Sequence, residues 1–295
     1  MFMSSERATK PLWVKLLSFI IGLVFLIGVI LAGLWAFVYF KYDINLITTY
    51  KQLRILNEKV DETQLYTNQF NNSDMAEAMV EVNAQIADMI TFDETDGYKV
   101  NTNINGVVAG EIKLTDKQMG AIIDNILKNS ESGATAEIGG IKLDLKLVQV
   151  QFSNVENGSV DVNVVIKLDL NPIKEKMTKF PSKLFKNRLP ECLYFSSTVR
   201  VVKGETPFEY TIESKFIKIN NLDEYQTEQF LTVINMLLKT GKTKELNEQI
   251  AKPLIDGMIG TADNKGFAYS LKDVGAKDYT FETVDDQVYF VITIA

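Results

Sequence analysis

Few kinds of side chain in this sequence could carry out acid–base, nucleophilic or metal chemistry. Of its 295 residues, 38 are aspartate or glutamate, one is cysteine and none is histidine. The absence of histidine excludes a Ser-His-Asp triad, a Cys-His pair and every zinc, copper or non-haem iron site that uses imidazole. Paired carboxylates could support glycoside hydrolysis, but no acidic spacing in the chain singles out such a pair.

Short catalytic and binding motifs are equally scarce. The sequence contains no G-x-S-x-G, S-x-x-K, G-x-x-x-x-G-K-[ST] or G-x-G-x-x-G motif. The run from Asp93 to Gly97 lacks the acidic spacing and the distal glutamate of a calcium loop, so it is typical of an Asp-Gly turn. The net charge of -7 argues against a nucleic-acid partner, because phosphate binding needs a basic face. We therefore predict no metal, no cofactor and no enzymatic activity. A hydrolase that depends on paired carboxylates is the alternative to this prediction.

A membrane span is the clearest element near the N-terminus. Residues 16–40 carry no charge, and a helix of this length, about 37 Å, can cross a bilayer core of about 30 Å. Arg7, Lys10 and Lys15 precede the span, so the positive-inside rule places residues 1–15 in the cytoplasm. The run is too long for a cleaved signal peptide and lacks a small-residue cleavage site. We predict a single-pass signal anchor in the cell membrane with an extracellular C-terminal part.

Residues 43–97 are predicted to form a helical stalk next to the membrane. Apolar side chains recur at helical spacing from Met75 through Val82 to Ile86, opposite an acidic face. The preferred interpretation is a stalk that packs on the following domain, and a coiled-coil partner site is the alternative. Because Cys192 is the single cysteine, the external part folds without an internal disulfide, which suits a bacterial cell envelope.

From residue 98 onward the apolar period changes to two, which predicts strands in an extracytoplasmic domain over residues 98–295. The alternation slips at Leu147-Val148, and this indicates a β-bulge. Hairpin turns are predicted at Asn105-Gly106, Asn157-Gly158, Lys203-Gly204-Glu205 and Asp285-Asp286.

Four helices are predicted between these strands. Thr115 and Gln118 form a capping box that begins a helix ending near Asn129. The other helices are predicted at 181–190, 227–239 and 243–258, the last with a kink at Pro253. Several strands are about twice the usual length of five or six residues, so their sheet can coil around apolar helices. The predicted fold is α+β, with a transmembrane helix followed by a long curved antiparallel sheet wrapped around helices.

Three segments in a fixed order suggest a known type of protein. They are IKLTDKQMGAIIDNIL, LKLVQVQFSNVENGSVDVNVVIKLDL and FPSKLFKNRLPECLYFSSTVRVV. Their order resembles membrane-anchored envelope proteins of the YpmS and YceB type, which are similar to the tubular lipid-binding (TULIP) superfamily. The resemblance covers residues 98–220 and implies a coiled sheet around a long helix that holds acyl chains or another apolar ligand without performing chemistry. Against that pattern, the helix at 115–129 is short, and residues 43–90 and 226–260 are additional.

The apolar strand faces are longer than one short helix can cover, which favours a cavity for a lipid or other apolar ligand. The predicted function is such binding at the membrane, for lipid transfer or envelope homeostasis. The alternative is a fully packed, non-catalytic module that recruits an envelope protein partner. In the opposite strand register, solvent-facing neighbours would replace the predicted wall residues, which are Ile122, Ile126, Val162, Val164, Ile166, Phe208, Tyr210 and Ile212.

Overall fold

The fold is described here from a computed structural model. The predicted cytoplasmic segment (1–15), the predicted span (16–40), the predicted turn at 105–106, most of the predicted helix at 181–190 and residues 231–239 of the predicted helix at 227–239 lie outside the described residues. Among the residues that are described, no helix is long and apolar enough to cross a membrane. The described residues are 51–52, 54–65, 67–95, 97–101, 110–129, 135–138, 141–176, 190–230, 243–262 and 266–294.

The described part of the chain is α+β, as the sequence predicts. Its helices include α1 (Glu62–Leu65), α2 (Asn72–Gln85), α3 (Asp116–Lys128), α4 (Asn171–Lys176), α5 (Thr243–Met258) and α6 (Phe267–Ser270), the last followed by a 3-10 turn at Leu271–Val274. Residues 224–230 are helical as well. Its strands are β1 (Ile90–Asp93), β2 (Gly97–Val100), β3 (Gly110–Thr115), β4 (Thr135–Ile138), β5 (Ile141–Glu156), β6 (Ser159–Asp169), β7 (Cys192–Lys203), β8 (Tyr210–Ile219), β9 (Ala276–Val284) and β10 (Gln287–Ile294). All of the strand pairs that these elements form are antiparallel.

The largest sheet has five strands in the order β4-β5-β6-β7-β8. The hairpin of β5 and β6 turns at Asn157 and Gly158, where both φ angles are positive (51° and 72°), so the predicted turn is confirmed. The predicted bulge is confirmed as well, because the pairing of β5 with β6 shifts between Leu147 and Gln149. Even-numbered residues of β6 face the core, and we call this the inner face of the sheet.

The second sheet corrects one predicted hairpin. β3 pairs with β10, and β2 pairs with β1, so the strands on either side of residues 105–106 do not form the predicted hairpin with each other. The sheet order is β3-β10-β9. Its other predicted turn is confirmed, since Asp285 and Asp286 join β9 to β10 with φ angles of 49° and 64°. Sequence alternation identifies strands but carries no information on such a distant partner.

The predicted stalk contributes to the same core as the strands. α2 begins at a capping box in which Asn71 and Asp74 each accept a backbone N–H bond. Its buried residues Met75, Ala78 and Val82 join the main apolar cluster. The helix ends at Gln85, and the boundary predicted between residues 97 and 98 falls within the β1–β2 hairpin.

α3 and α5 lie against the five-stranded sheet, where they contact β5 and the β7–β8 pair, respectively. The capping box of α3 is confirmed: the hydroxyl of Thr115 accepts from the amide of Gln118 at 3.2 Å, and the Gln118 side chain accepts in return at 2.9 Å. α5 spans the predicted range with Pro253 inside it. α4, α6 and the 3-10 turn have no counterpart among the predicted helices.

Candidate functional site

The predicted wall residues lie in or against one apolar core. Ile126, Tyr210 and Ile212 are partly buried and pack against this core. The other five predicted wall residues are no more than 5% exposed: Ile122 (0%), Val162 (1%), Val164 (0%), Ile166 (5%) and Phe208 (3%). None of the eight lines the pocket described below.

Phe208 is placed differently from the predicted strand. β8 begins only at Tyr210, and Phe208 lies in the loop before it with φ at +63°. The Phe208 ring contacts the rings of Tyr269 and Tyr279, with centroids 5.6 and 6.4 Å away. Its backbone amide donates to the Asp278 carboxylate at 3.1 Å. Phe208 is therefore a packing contact with α6 and β9 rather than the first residue of an alternating strand face.

Tyr210 directs its hydroxyl toward a buried charge. The hydroxyl hydrogen-bonds to the Asp256 carboxylate, and Lys252 Nζ lies 2.8 and 3.0 Å from the two carboxylate oxygens. Burial and the Asp256 carboxylate raise the pKa of Tyr210. Asp256 is only 2% exposed. The buried carboxylate of Asp256, which is also paired with the half-exposed Lys252, thus holds this side chain and joins β8 to α5.

A second polar network joins α5 to the inner face. Asn247 is 1% exposed and donates through Nδ2 to the Thr198 carbonyl at 2.8 Å and to the Ser214 hydroxyl at 2.9 Å. Its Oδ1 accepts from the Ser197 hydroxyl at 2.6 Å. The register of β7 with β8 shifts between Thr198 and Val199, next to the carbonyl that Asn247 satisfies. The helix is consequently fixed at one position on the sheet.

The pocket lies on the other face of the sheet, at the end where β6 stops and β7 begins. Its volume is about 920 Å³. Lys167, Cys192 and Tyr194 come from this outer face, and Lys174 comes from α4. Residues 57–63, which we call the strap, form the facing wall. The complete lining is Asn57, Glu58, Lys59, Val60, Asp61, Glu62, Thr63, Lys167, Lys174, Pro190, Glu191, Cys192, Tyr194 and Asn220.

Asparagines just after β8 hold the strap against the sheet. Asn220 donates through Nδ2 to the Leu56 carbonyl at 2.9 Å, and its Oδ1 accepts from the Tyr194 amide at 2.8 Å. Asn221 donates to the Glu58 and Lys59 carbonyls at 3.1 and 3.3 Å. Asn220 has a φ of +48°, a conformation that asparagine tolerates better than most residues. These bonds satisfy the carbonyl of Leu56, which ends the helical residues just before the strap, and the carbonyls of two strap residues.

Glu62 adds a charged contact between the strap and the sheet. Its carboxylate lies 2.8 Å from Lys167 Nζ and accepts a hydrogen bond from the Tyr194 hydroxyl. These two donors lower the pKa of Glu62. Asp61 begins α1 by accepting from the amide and the hydroxyl of Thr63 at 3.0 and 2.7 Å, which lowers the pKa of Asp61. The strap is therefore closed over the pocket by one ion pair and several hydrogen bonds.

The thiol of Cys192 lines this pocket and is the only thiol in the chain. It is partly exposed, and burial raises its pKa. No group of three or more metal-ligating side chains occurs among residues that the structure describes. Sequence reasoning missed the pocket, because its residues follow no periodic pattern and come from segments far apart in the chain. The Asn220-Asn221 pair at a strand end is the one local signal that marks an unusual backbone position.

The chain was compared with protein-family models, with curated proteins and with solved structures, and none of them matches it. The resemblance to envelope proteins of the YpmS and YceB type stays a prediction from the sequence.

Proposed function

We propose that this protein is a non-catalytic, membrane-anchored binding protein of the cell envelope. Residues 16–40 would anchor it in the bilayer with the N-terminus in the cytoplasm, and the remainder would lie outside. Its ligand is a lipid or another molecule with an apolar portion, held in a TULIP-like domain. The observation that carries this proposal is the pocket of about 920 Å³ behind the strap, a volume within the range of about 300–1,000 Å³ typical of small-molecule sites.

The position of the strap in the sequence supports a ligand that comes from the bilayer. Asn57, the first strap residue, follows Phe40 by 17 residues, and a chain of that length extends at most about 60 Å. The pocket therefore stays close to the membrane surface. Each methylene group that moves from water to an apolar wall contributes about 0.8 kcal/mol. Val60, Pro190 and the Tyr194 ring offer such surface beside the charged groups.

The test uses the full chain in lipid nanodiscs with a phospholipid that carries a photoactivatable group on its acyl chain. After irradiation and proteolysis, we expect lipid adducts on peptides that contain the strap or residues 190–194. Replacing the pocket thiol by a bulky ring, Cys192→Trp, should reduce these adducts. Val202→Trp is the matched control, because Val202 lies on the same face of β7 but outside the pocket. Equal adducts in both variants would refute this binding site.

A fully packed interaction module is the second candidate, and the inner face of the sheet favours it. Val162, Val164 and Ile122 are almost completely buried, as is usual for a core without room for a ligand. On this hypothesis, the nanodisc experiment yields no adducts in the external domain. Chemical crosslinking in intact cells would instead recover one dominant protein partner.

A further inference from the structure

We propose that the pocket takes a lipid with a single alkyl chain, an inference that rests on the proposed function and names its class of ligand. The chain lies along the outer face of β7, beneath the strap. Pro190, Cys192 and Tyr194 line the pocket there, and we call them the apolar strip. Cys192 and Tyr194 are alternate residues of β7, so their side chains project from the same face of the sheet.

The apolar strip is only one strand wide. On one side, Lys167 and Asp169 of β6 are its cross-strand neighbours. On the other side, the Asn220 side chain accepts from the Tyr194 amide at 2.8 Å. Neighbouring strands lie about 4.8 Å apart, which is close to the width of one extended alkyl chain. A second chain beside the first would therefore lie against charged and amide groups, which is unfavourable for methylene groups.

Little apolar surface is available elsewhere in the pocket. Tyr194 is 5% exposed and Pro190 is buried, so the partly exposed thiol of Cys192 lies at the centre of the strip that a ligand can contact. The strap has the sequence NEKVDET, in which Val60 is the one apolar residue. One chain between Val60 and the apolar strip uses the apolar surface of both walls.

Bonds at both ends of the strap limit how far the pocket can widen. The Leu56 carbonyl just before the strap accepts from Asn220, and Glu62 near its end lies 2.8 Å from Lys167. A water molecule takes up about 30 Å³ of liquid, and a methylene group has nearly the same volume, so the pocket of about 920 Å³ holds about 30 such groups. Two chains of about 16 carbons each would fill this volume without a head group, whereas one chain leaves room for it.

The test compares two lipids that share a phosphocholine head group and differ in the number of chains. The full chain is placed in phosphatidylcholine nanodiscs with equal small amounts of palmitoyl lysophosphatidylcholine and dipalmitoyl phosphatidylcholine, each carrying one photoactivatable group on a palmitoyl chain. After irradiation and proteolysis, mass spectrometry gives the ratio of single-chain to two-chain adducts on peptides that contain the strap or residues 190–194. Peptides from residues 16–40, which contact bulk lipid in the proposed topology, give the reference ratio.

We expect the pocket ratio to exceed the reference ratio about tenfold, since about two methylene groups without an apolar contact already account for this factor. Cys192→Asp places a charge at the centre of the apolar strip and should reduce the pocket ratio to the reference value. Val202→Asp places the same charge on the same face of β7, at a partly exposed position outside the pocket, and should leave the ratio raised. Cys192→Val keeps the strip apolar and should also leave it raised.

The outcomes separate this inference from the proposed function. A pocket ratio equal to or below the reference ratio overturns the preference for a single chain and leaves lipid binding intact. No adduct of either lipid on the strap or on residues 190–194 overturns both. A raised ratio that persists in Cys192→Asp refutes the apolar strip as the place where the chain lies, and so does a raised ratio that is lost in Val202→Asp.

Discussion

The two faces of the five-stranded sheet differ in what covers them. On the inner face, the side chains from Val160 to Leu170 at every second position belong to the apolar core, and α3 and α5 pack against this core. On the outer face, at one end of the sheet, the strap is held by Asn220, Asn221 and Glu62 and encloses a pocket of mixed polarity. The inner face is covered by packed apolar side chains, and this end of the outer face is covered through hydrogen bonds and one ion pair.

This difference shows how far an apolar strand face can be interpreted. A regular apolar face establishes that something covers it, but packed side chains and a bound ligand satisfy the same pattern. The pocket, by contrast, depends on polar groups that bring a nonregular segment onto the sheet. Its apolar surface is interrupted by charges, which suits a ligand with one apolar and one polar end.

The largest expected effect comes from a charge placed in the inner face. Val164→Asp would bury an unpaired carboxylate at a position that is 0% exposed, and this should lower the free energy of unfolding by about 4 kcal/mol or more. Since domains of this size are stable by about 5–15 kcal/mol, the variant should be largely unfolded or aggregated. Circular dichroism during urea denaturation measures the loss.

Val80→Asp is the control for that variant. Val80 is 69% exposed on α2, so the same change there should alter the free energy of unfolding by about 0.5 kcal/mol or less. A well-folded Val164→Asp protein with lost lipid binding would contradict the packed description. It would support Val164 as part of a ligand-lined wall.

A smaller effect is expected from the polar network beneath α5. Asn247→Ala removes the side-chain donor to the Thr198 carbonyl and leaves the buried Ser197 hydroxyl with only the backbone carbonyl of residue 247, 3.3 Å away, as acceptor. It should lower the free energy of unfolding by about 2 kcal/mol. Ser197→Ala in the same chain should recover part of that loss, because it removes the hydroxyl that keeps only this longer bond. Strict additivity of the two changes would show that the network does not act as one unit.

Local patterns in the sequence were enough to predict several elements of the fold. Thr115 with Gln118 predicts the start of α3, and Asn157-Gly158 predicts a turn whose positive φ angles few other residues tolerate. The pairing of β3 with β10 could not be predicted in this way, because the contact joins residues 110–115 to 289–294. The alternation with Tyr210 and Ile212 predicts a strand position for Phe208, yet its ring lies in a loop and contacts Tyr269 and Tyr279.

The candidate site was less predictable than the fold. Lys167, Cys192 and Tyr194 lie on the outer face of the sheet, opposite the apolar face that the alternation identifies as the core side, so the strand pattern does not single them out. Their significance depends on a strap that lies more than 100 residues away in the chain, as the Glu62–Lys167 contact illustrates. Side-chain hydrogen bonds to backbone carbonyls form this contact region, and they leave no periodic signature.

On the outer face, replacing the Glu62 carboxylate should affect the opening of the strap far more than the free energy of unfolding. Glu62→Gln removes the ion pair with Lys167, whose partners are 28% and 49% exposed, so the free energy of unfolding should fall by less than about 1 kcal/mol. The rate of maleimide modification at Cys192 should nevertheless rise several-fold, since the strap loses its charged contact. Glu58→Gln, in the same strap but without a side-chain contact to the sheet, is the control. Equal rates in the two variants would show that Glu62 does not hold the pocket closed.

The smallest effect is a pH-dependent opening in acid. The pKa of Glu62 is lowered from its ordinary value of 4.5, chiefly by Lys167 and Tyr194 and to a lesser degree by the charge of Lys146. A lowered pKa means that the closed strap is stabilised above pH 4.5 and loses this stabilisation as the pH falls through the lower folded-state value. A trifluoromethyl label on Cys192 should show this transition by fluorine NMR, and Glu62→Gln should abolish it. A transition that persists in that variant must come from another carboxylate, which would separate the acid response from the contact that closes the pocket.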